Sequence, residues 1–362
     1  MKENKPSSNV FRHPIRFSWL KLFVVLLGAA GCLGVLVISR GHAAESYYFF
    51  RQFCWFVFSI PMLFAVARLN LNFSEKGAFL LYGGSLLILL FVLLFGVRIN
   101  GMRGWFQWRS IGIQPGELLK PVFILVFAKL LSDERFAPGN YKGLLAALLL
   151  LAPWLVLLLL QPDAGTALIY CLTFLAMLWV AGVGLWQLPL IAISSLPVAA
   201  WALWRHPYMR KRLLAFISPS ADALQGSGWH ASVMAKSLES GGWFGKLFNP
   251  NPTLIKVPYR MNDSIFAVLS EQLGFFGMLP LIILTFCWLA LCCLCAYRSN
   301  SRQQQLLFVA CGIMLSGQAI LHLAVNLGAF PTTGITFPLI SYGGSSLLAS
   351  FCIAGIVENF RT

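Results

Sequence analysis

Ten apolar runs, each closed by charge, glycine or proline, constrain this chain more than any other feature. They cover residues 19–39, 48–67, 77–97, 118–131, 143–160, 165–182, 186–204, 265–297, 305–327 and 338–357. Most approach about 20 residues, the length at which an α-helix crosses a hydrocarbon core of about 30 Å. A helix satisfies its own backbone groups within one segment, so exposure to lipid dictates helix. A water-soluble domain cannot be assembled from these runs. AVILMFWYC residues make up 58% and DEKR residues 11% of the 362, against about 45–50% and about 25% in a soluble domain. The expected fold is an all-α polytopic integral membrane protein of about ten transmembrane helices. The first run follows a basic tail and precedes His42-Ala43-Ala44, as a signal peptide would. It is too long for one and nine more runs follow, so it reads as a retained helix.

Lys and Arg placement orients the bundle. With the N-terminus cytoplasmic, thirteen Lys and Arg fall on that face and six on the other, and eight more lie in a long loop at 205–263. That predicts N-in and C-in ends, with the long loop extracytoplasmic between helices 7 and 8. The expected organisation is a basic cytoplasmic tail at 1–18, a single transmembrane domain over 19–358 and a short cytoplasmic tail at 359–362. The net charge of +15 then belongs beside anionic headgroups. No helix-turn-helix, zinc finger or aromatic RNA-binding strand accompanies it, so no nucleic-acid partner is expected. The nine cysteines fall within or at the ends of apolar stretches and the long loop has none, so no disulfide framework is available there. Cys292-Cys293-x-Cys295 reads as small apolar filler.

The loops assigned to the outer face, 98–120, 161–165, 205–263 and 326–345, hold nearly all the Gly-, Pro- and Trp-rich sequence with isolated charges. Four polar clusters on one face are what a site at the outer membrane surface requires. Asp263 stands out by position. It ends the long loop at the mouth of the eighth span with Lys256 and Arg260 nearby, where a lipid–water boundary raises a carboxyl from about 3.9 toward the range of a general base. Asn262-Asp263 before an apolar helix is equally a helix-start signal. Glu117 and Lys120, one turn apart, either pair with each other or face a substrate. Asp163 is either a cap or a site residue. Arg210-Lys211-Arg212 and Lys246 form either a solvated charge run or a cationic cradle for phosphate. Gly343-Gly344-Ser345-Ser346 offers either backbone N–H groups to an anion or close helix packing. Ionisable residues inside spans are suspects by default, and Glu271, early in the eighth span, and His322, late in the ninth, are two of the few. Broken helices in matched halves with midplane carboxylates, the mark of ion-driven transporters, are not visible. Outside the membrane no nucleotide pool exists, so a reaction there draws on a group already activated by its carrier, such as a lipid-linked pyrophosphate sugar.

The motifs resemble the SEDS family (shape, elongation, division and sporulation), the group of FtsW, RodA and SpoVE, over nearly the whole chain, with a lean to the FtsW branch through Tyr208-Met209-Arg210-x-Arg212. Its pieces are Asn100-Gly101 with Trp105, Gln114-Pro115-x-Glu117-Leu118-x-Lys120, and Gln161-Pro162-Asp163-x-Gly165-Thr166. Asp263-x-Ile265-Phe266-Ala267, Glu271-x-x-Gly274, Pro331-x-x-Gly334 and Pro338-Leu339-Ile340-Ser341-Tyr342-Gly343-Gly344-Ser345-Ser346 follow in order. The resemblance implies a peptidoglycan glycosyltransferase of division or cell-shape maintenance in the bacterial cytoplasmic membrane. It would polymerise lipid II on the outer face and release undecaprenyl pyrophosphate. Asp263 would be the general base that deprotonates the acceptor sugar's 4-hydroxyl. A class B penicillin-binding transpeptidase and other divisome or elongasome membrane proteins are the implied partners. The candidate substrate-binding residues are Arg109, Glu117, Lys120, Asp163, Arg212 and Lys246. Glu271, Ser341, Gly343, Gly344 and Ser345 complete the set.

This chain departs from the family pattern beside the expected base. Relatives carry Pro-Glu-x-His-Thr-Asp-Phe where it has Pro258-Tyr259-Arg260-Met261-Asn262-Asp263-Ser264. Gly104 stands where Arg precedes the Trp, Gly116 replaces a Ser, Leu247 a Gly, and Thr336-Phe337 replace Pro-Leu. Two other readings stay open: a lipid II translocase, and a scaffold that recruits a transpeptidase without chemistry of its own. A pyrophosphate substrate is compatible with Mg²⁺ or Mn²⁺, although no dedicated ligand set is visible.

Overall fold

The structure is a computed structural model that describes residues 18–39, 46–99, 101–109, 111–136, 141–218, 226–247, 249 and 255–361. Residues 1–17 of the expected tail at 1–18, Asn100 and parts of the long loop lie outside the described residues. Helices α1 (Trp19–Ser39), α2 (Ser46–Val66) and α3 (Glu75–Phe95) occupy the first three runs. Ser74 caps α3 by accepting from Gly77 N at 3.2 Å, and Glu75 in its first turn complements the helix dipole. After Gly96 the chain makes an antiparallel meander of β1 (Val97–Ile99), β2 (Met102–Trp108) and β3 (Ile111–Ile113). The 98–120 segment was expected only as loop; Gly101, at φ 80°, makes the β1–β2 turn.

The fourth run begins earlier than expected, as α4 (Pro115–Leu118) and α5 (Lys120–Leu131). Pro121 removes a backbone donor and interrupts the helix at Leu119. Next come α6 (Tyr141–Leu160) and α7 (Ala164–Val180). The seventh run divides at Ser195, ahead of Pro197, into α8 (Gln187–Ser194) and α9 (Leu196–Arg205). The long 205–263 segment contains α10 (Pro207–Ile217) and α11 (Ser227–Gly241). Then α12 (Ile265–Arg298) runs with a non-helical residue at Gly274, followed by α13 (Arg302–Asn326). The last helix, α14 (Gly344–Arg361), starts six residues later than expected, because the chain from Pro338 makes an irregular turn with Leu339 at φ 66°.

Among the described residues, α1, α2, α3, α6, the α8–α9 pair, α12 and α13 are long and apolar enough to cross a membrane. The α4–α5 pair, the shorter α7 and α14 occupy the other three expected runs. The core gathers around α13, whose apolar stretch is 78% buried, while the α8–α9 stretch is 6% buried and stands at the periphery. Phe123, Trp154 and Tyr170 lock α5, α6 and α7 together edge to face, with ring centroids 4.7–5.2 Å from Phe123.

Candidate active site

Four segments far apart in sequence meet at one end of the bundle. Arg103 N on β2 donates to Gln161 O at 3.2 Å, and Gln114 Nε2 to Asp163 Oδ2 at 3.0 Å. Gln114 N donates to Ser345 Oγ at 3.0 Å, and Tyr342 N to Met261 O at 2.8 Å. The polar clusters therefore come together, as a shared site requires.

Asp263 sits in a turn over 258–264, just ahead of α12. Tyr259 takes the left-handed φ of 48°, and its carbonyl accepts from Asn262 N at 3.0 Å and Ser264 N at 3.4 Å. Asn326, at the end of α13, donates to Asp263 O at 2.9 Å and accepts from Ala267 N at 3.2 Å. Ser341 Oγ donates to Asn262 O at 2.8 Å and accepts from Phe337 N at 2.8 Å, while Asn262 Nδ2 donates to Tyr342 O at 2.9 Å. Gln52 of α2 clasps that second loop, donating to Ser341 O at 3.1 Å and accepting from Gly343 N at 3.2 Å. The backbone around Asp263 is pinned from α2, α13 and the 337–343 turn. Its carboxylate, by contrast, has no hydrogen-bond or ion-pair partner among the described residues. The helix-cap alternative fails, because Ser264 occupies the cap position and no side chain caps α12.

Loss of surrounding water pushes the Asp263 carboxyl up to about 6, against the pull of the Arg212 charge. A methyl built on Gly334 would stand 3.4 Å from Arg212 Nη1 and 3.5 Å from Asp263 Oδ2, so both groups flank that glycine, whose φ is 80°. Arg212 comes from α10. Its guanidinium lies 4.3 Å from the centre of the Tyr208 ring and bonds the Tyr208 hydroxyl one turn away. Arg212 and Tyr208 also line a cavity of about 530 Å³ between α6, α7, the α8–α9 pair, α10 and residues 330–333. Leu155, Leu159, Leu168, Phe174 and Val198 make most of its wall apolar.

The other expected site residues go elsewhere. Lys120, expected to face phosphate, is 1% exposed and bonds Glu117 Oε1 and Gln318 Oε1 at 2.6 Å each. Glu117 and Lys120 are thus an internal pair, with no room for substrate phosphate. Asp163 caps α7 by accepting from Thr166 N at 3.1 Å, and burial raises its carboxyl above the usual range. Lys246 pairs with Glu271 at 3.0 Å, and Glu271 also accepts from Ser237 and Ser240 Oγ at 3.0 Å each. That uses both groups as a clasp between the long segment and α12. Gly344 is a packing position, where a Cβ would meet Trp55 at 2.2 Å, while Gly343 gives its N–H to Gln52. Ser341 and Ser345 are spent on the loop contacts above. Arg109 is exposed in the β2–β3 turn at φ 52°, and Arg210 and Lys211 are exposed on α10.

Two residues of this cluster were not expected as site residues. Tyr208 was read only as a branch signature. His230 of α11 passed unnoticed, and its Nε2 lies 2.7 Å from Ser264 Oγ. Its only trace in the sequence is the i, i+3, i+4, i+7 face it shares with Val233, Met234 and Ser237. For a divalent cation the donor set does not fit. Asp263 has a guanidinium beside it rather than a second carboxylate, and among the described residues no three His, Cys, Asp or Glu side chains cluster to hold an ion.

Comparison with known proteins fits this arrangement. The FtsW/RodA/SpoVE family, described as cell cycle proteins, matches residues 17–362. The chain is 34% identical to the "Probable peptidoglycan glycosyltransferase FtsW" of Coxiella burnetii over 94% of each chain. It is 32% identical to the protein of the same name from Thioalkalivibrio sulfidiphilus, over 93% of this chain and 87% of that one. Among solved structures, a chain of a peptidoglycan synthase complex, studied for its structural coordination of polymerization and crosslinking, superposes with a TM-score of 0.80. It is 30% identical, over 96% of this chain and 98% of that chain. The rod shape determining protein RodA of Thermus thermophilus gives 0.70 at 28% identity, over 96% and 97%. The multi-pass helical fold, the convergence of the loop motifs on Asp263 and a match across almost the entire sequence establish that this chain belongs to the FtsW/RodA/SpoVE family.

Proposed function

We propose that this protein is a peptidoglycan glycosyltransferase that polymerises lipid II at the outer face of the bacterial cytoplasmic membrane, with both termini in the cytoplasm. One observation carries the reading: a half-buried carboxyl held near 6, without a partner among the described residues, beside a guanidinium that lines a large apolar cavity. A base needs a pKa near the working pH to be both ionised and able to take a proton. Asp263 accepts the proton of the acceptor sugar's 4-hydroxyl as that oxygen bonds the anomeric carbon of the growing strand. The bond from that carbon to pyrophosphate breaks, and the electron pair departs on undecaprenyl pyrophosphate. Arg212, next to Asp263 and on the wall of the cavity, takes the charge that develops on the leaving group. The apolar cavity suits the first part of the polyprenyl chain, at about 0.8 kcal/mol per buried CH₂. A class B penicillin-binding transpeptidase, with other divisome or elongasome membrane proteins, is the proposed partner, in keeping with the likeness to a chain from a synthase complex.

The test is polymerisation of labelled lipid II by purified protein, wild type beside Asp263→Asn, with and without the transpeptidase. Strands are expected from the wild type, with a loss of at least about 10²-fold in the variant. Equal output from both would remove Asp263 from the chemistry. Silence from folded wild type with its partner present would overturn the enzyme reading in favour of translocation or scaffolding.

A further inference from the structure

We propose that His230 is a positioning residue for Asp263, acting through Ser264 by a relay that joins α11 to the turn carrying the base. The inference rests on the glycosyltransferase reading above. His230 Nε2 lies 2.7 Å from Ser264 Oγ, and Ser264 Oγ lies 2.9 Å from Pro258 O. A serine hydroxyl has one proton and Pro258 O can only accept, so the chain has one consistent direction. His230 Nε2–H donates to Ser264 Oγ, and Ser264 O–H donates to Pro258 O. This requires a proton on Nε2. Burial and the nearby Arg212 charge keep the imidazole neutral, driving it down to about 4 against the pull of the Pro258 carbonyl, so the relay selects the Nε2–H tautomer. The titratable groups that face it and the base are Arg212 and Tyr208 from α10, with Tyr259 and Asp263 on the turn.

The Ser264 hydroxyl at the centre of this relay is fully buried. Met261, on the same turn, packs with Val257, Ile265 and Phe266 in an apolar cluster. The imidazole reaches from α11 onto the residue adjoining the base. The bonds from Asn326, Ser341 and Tyr342 hold the 261–263 side of the turn; the relay holds Pro258 to Ser264, across the left-handed Tyr259. Without it, two donor–acceptor links across the base of the turn are lost, and water gains access to the Asp263 carboxyl.

The experiment is a double-mutant cycle on lipid II polymerisation with His230→Phe, Ser264→Ala and the pair, with His230→Gln as the conservative variant that keeps an N–H donor. His230→Phe and Ser264→Ala are each expected to lower kcat about 10- to 100-fold, the scale of a misplaced catalytic group. KM should stay within about twofold, since neither residue touches substrate. The double variant should be no worse than the weaker single, and His230→Gln should recover most of the rate. The acid limb of the pH–rate profile should move below 6 in the impaired variants, because a better-hydrated carboxyl is more acidic. Additive losses, an unshifted limb, or a Gln variant as poor as Phe would overturn the proposal. Should His230→Phe fail to fold, Ser264→Ala and His230→Gln decide alone, and a wild-type kcat in Ser264→Ala refutes the relay. Inactive wild type would instead count against the glycosyltransferase reading.

Discussion

Asp263 is poised between two opposing influences, and each can be removed separately. Burial raises its carboxyl to about 6 while Arg212 lowers it. The ionised form is the base, so activity should fall as pH drops through about 6. Arg212→Gln removes the charge that favours the anion, so the acid limb of kcat/KM should move above 6. The same change strips a cation from the leaving group, and kcat should fall on the order of 10²-fold. A limb displaced to lower pH would mean that Arg212 acts on something other than Asp263. In the sequence Asp263 stands out as a charge at the edge of an apolar run, and Arg212 only as part of a charge run in the long loop. Lys120 is a charge at the mouth of a span as well, and the sequence allows its pairing with Glu117 without showing its depth. Its burial comes from Gln318 on α13, 198 residues away, and no local pattern announces such a partner. His230 was missed for the converse reason: on an amphipathic helix a lone imidazole looks like any half-buried polar residue.

Helix positions followed from hydropathy, while the breaks ahead of Pro121 and Pro197 fall inside runs expected as single helices, although proline gives each a local cause. The break in α12 did not, because its cause is long-range. Gly274, at φ 68°, approaches so closely that an added Cβ would lie 2.4 Å from Gly245 N. The 242–247 segment bonds into the gap, with Phe275 N donating to Gly242 O at 3.0 Å and Leu247 N to Gln272 O at 2.8 Å. Glu271 finishes this join by accepting from Lys246, Ser237, Ser240 and Ile255 N. The three-stranded meander was likewise unreadable, since two of its strands have three residues each, too few to carry periodicity. If Glu271 belongs to the join rather than the chemistry, Glu271→Gln should cost about 1–3 kcal/mol of local stability. Amide hydrogen exchange should then quicken across 227–247 while the acid limb stays near 6. Normal exchange with polymerisation abolished would return Glu271 to the catalytic site.

At the scale of the molecule, the described parts of the long 205–263 segment, α10 and α11, deliver Arg212 and His230 to the turn bearing Asp263. Its proposed extracytoplasmic side is testable at Lys211, which is exposed on α10. Lys211→Cys, placed in a background without the nine native cysteines, should react with an impermeant maleimide in intact cells. Labelling only after permeabilisation would invert the topology. The peripheral α8–α9 pair follows from composition alone, being apolar enough to face lipid and only 6% buried. The cavity it encloses with α6, α7 and α10 does not, because it depends on how far α8–α9 stands from the bundle. Ala199 lines that cavity with a small side chain. Ala199→Trp should displace two or three methylenes of a seated prenyl chain, about 1.6–2.4 kcal/mol, raising KM for full-length lipid II about 10- to 50-fold. The kcat should hold, because Asp263 and Arg212 are untouched, and a substrate on a short prenyl chain should lose far less. Equal penalties for long and short chains would place the lipid outside this cavity, leaving Arg212 to meet the pyrophosphate from another side.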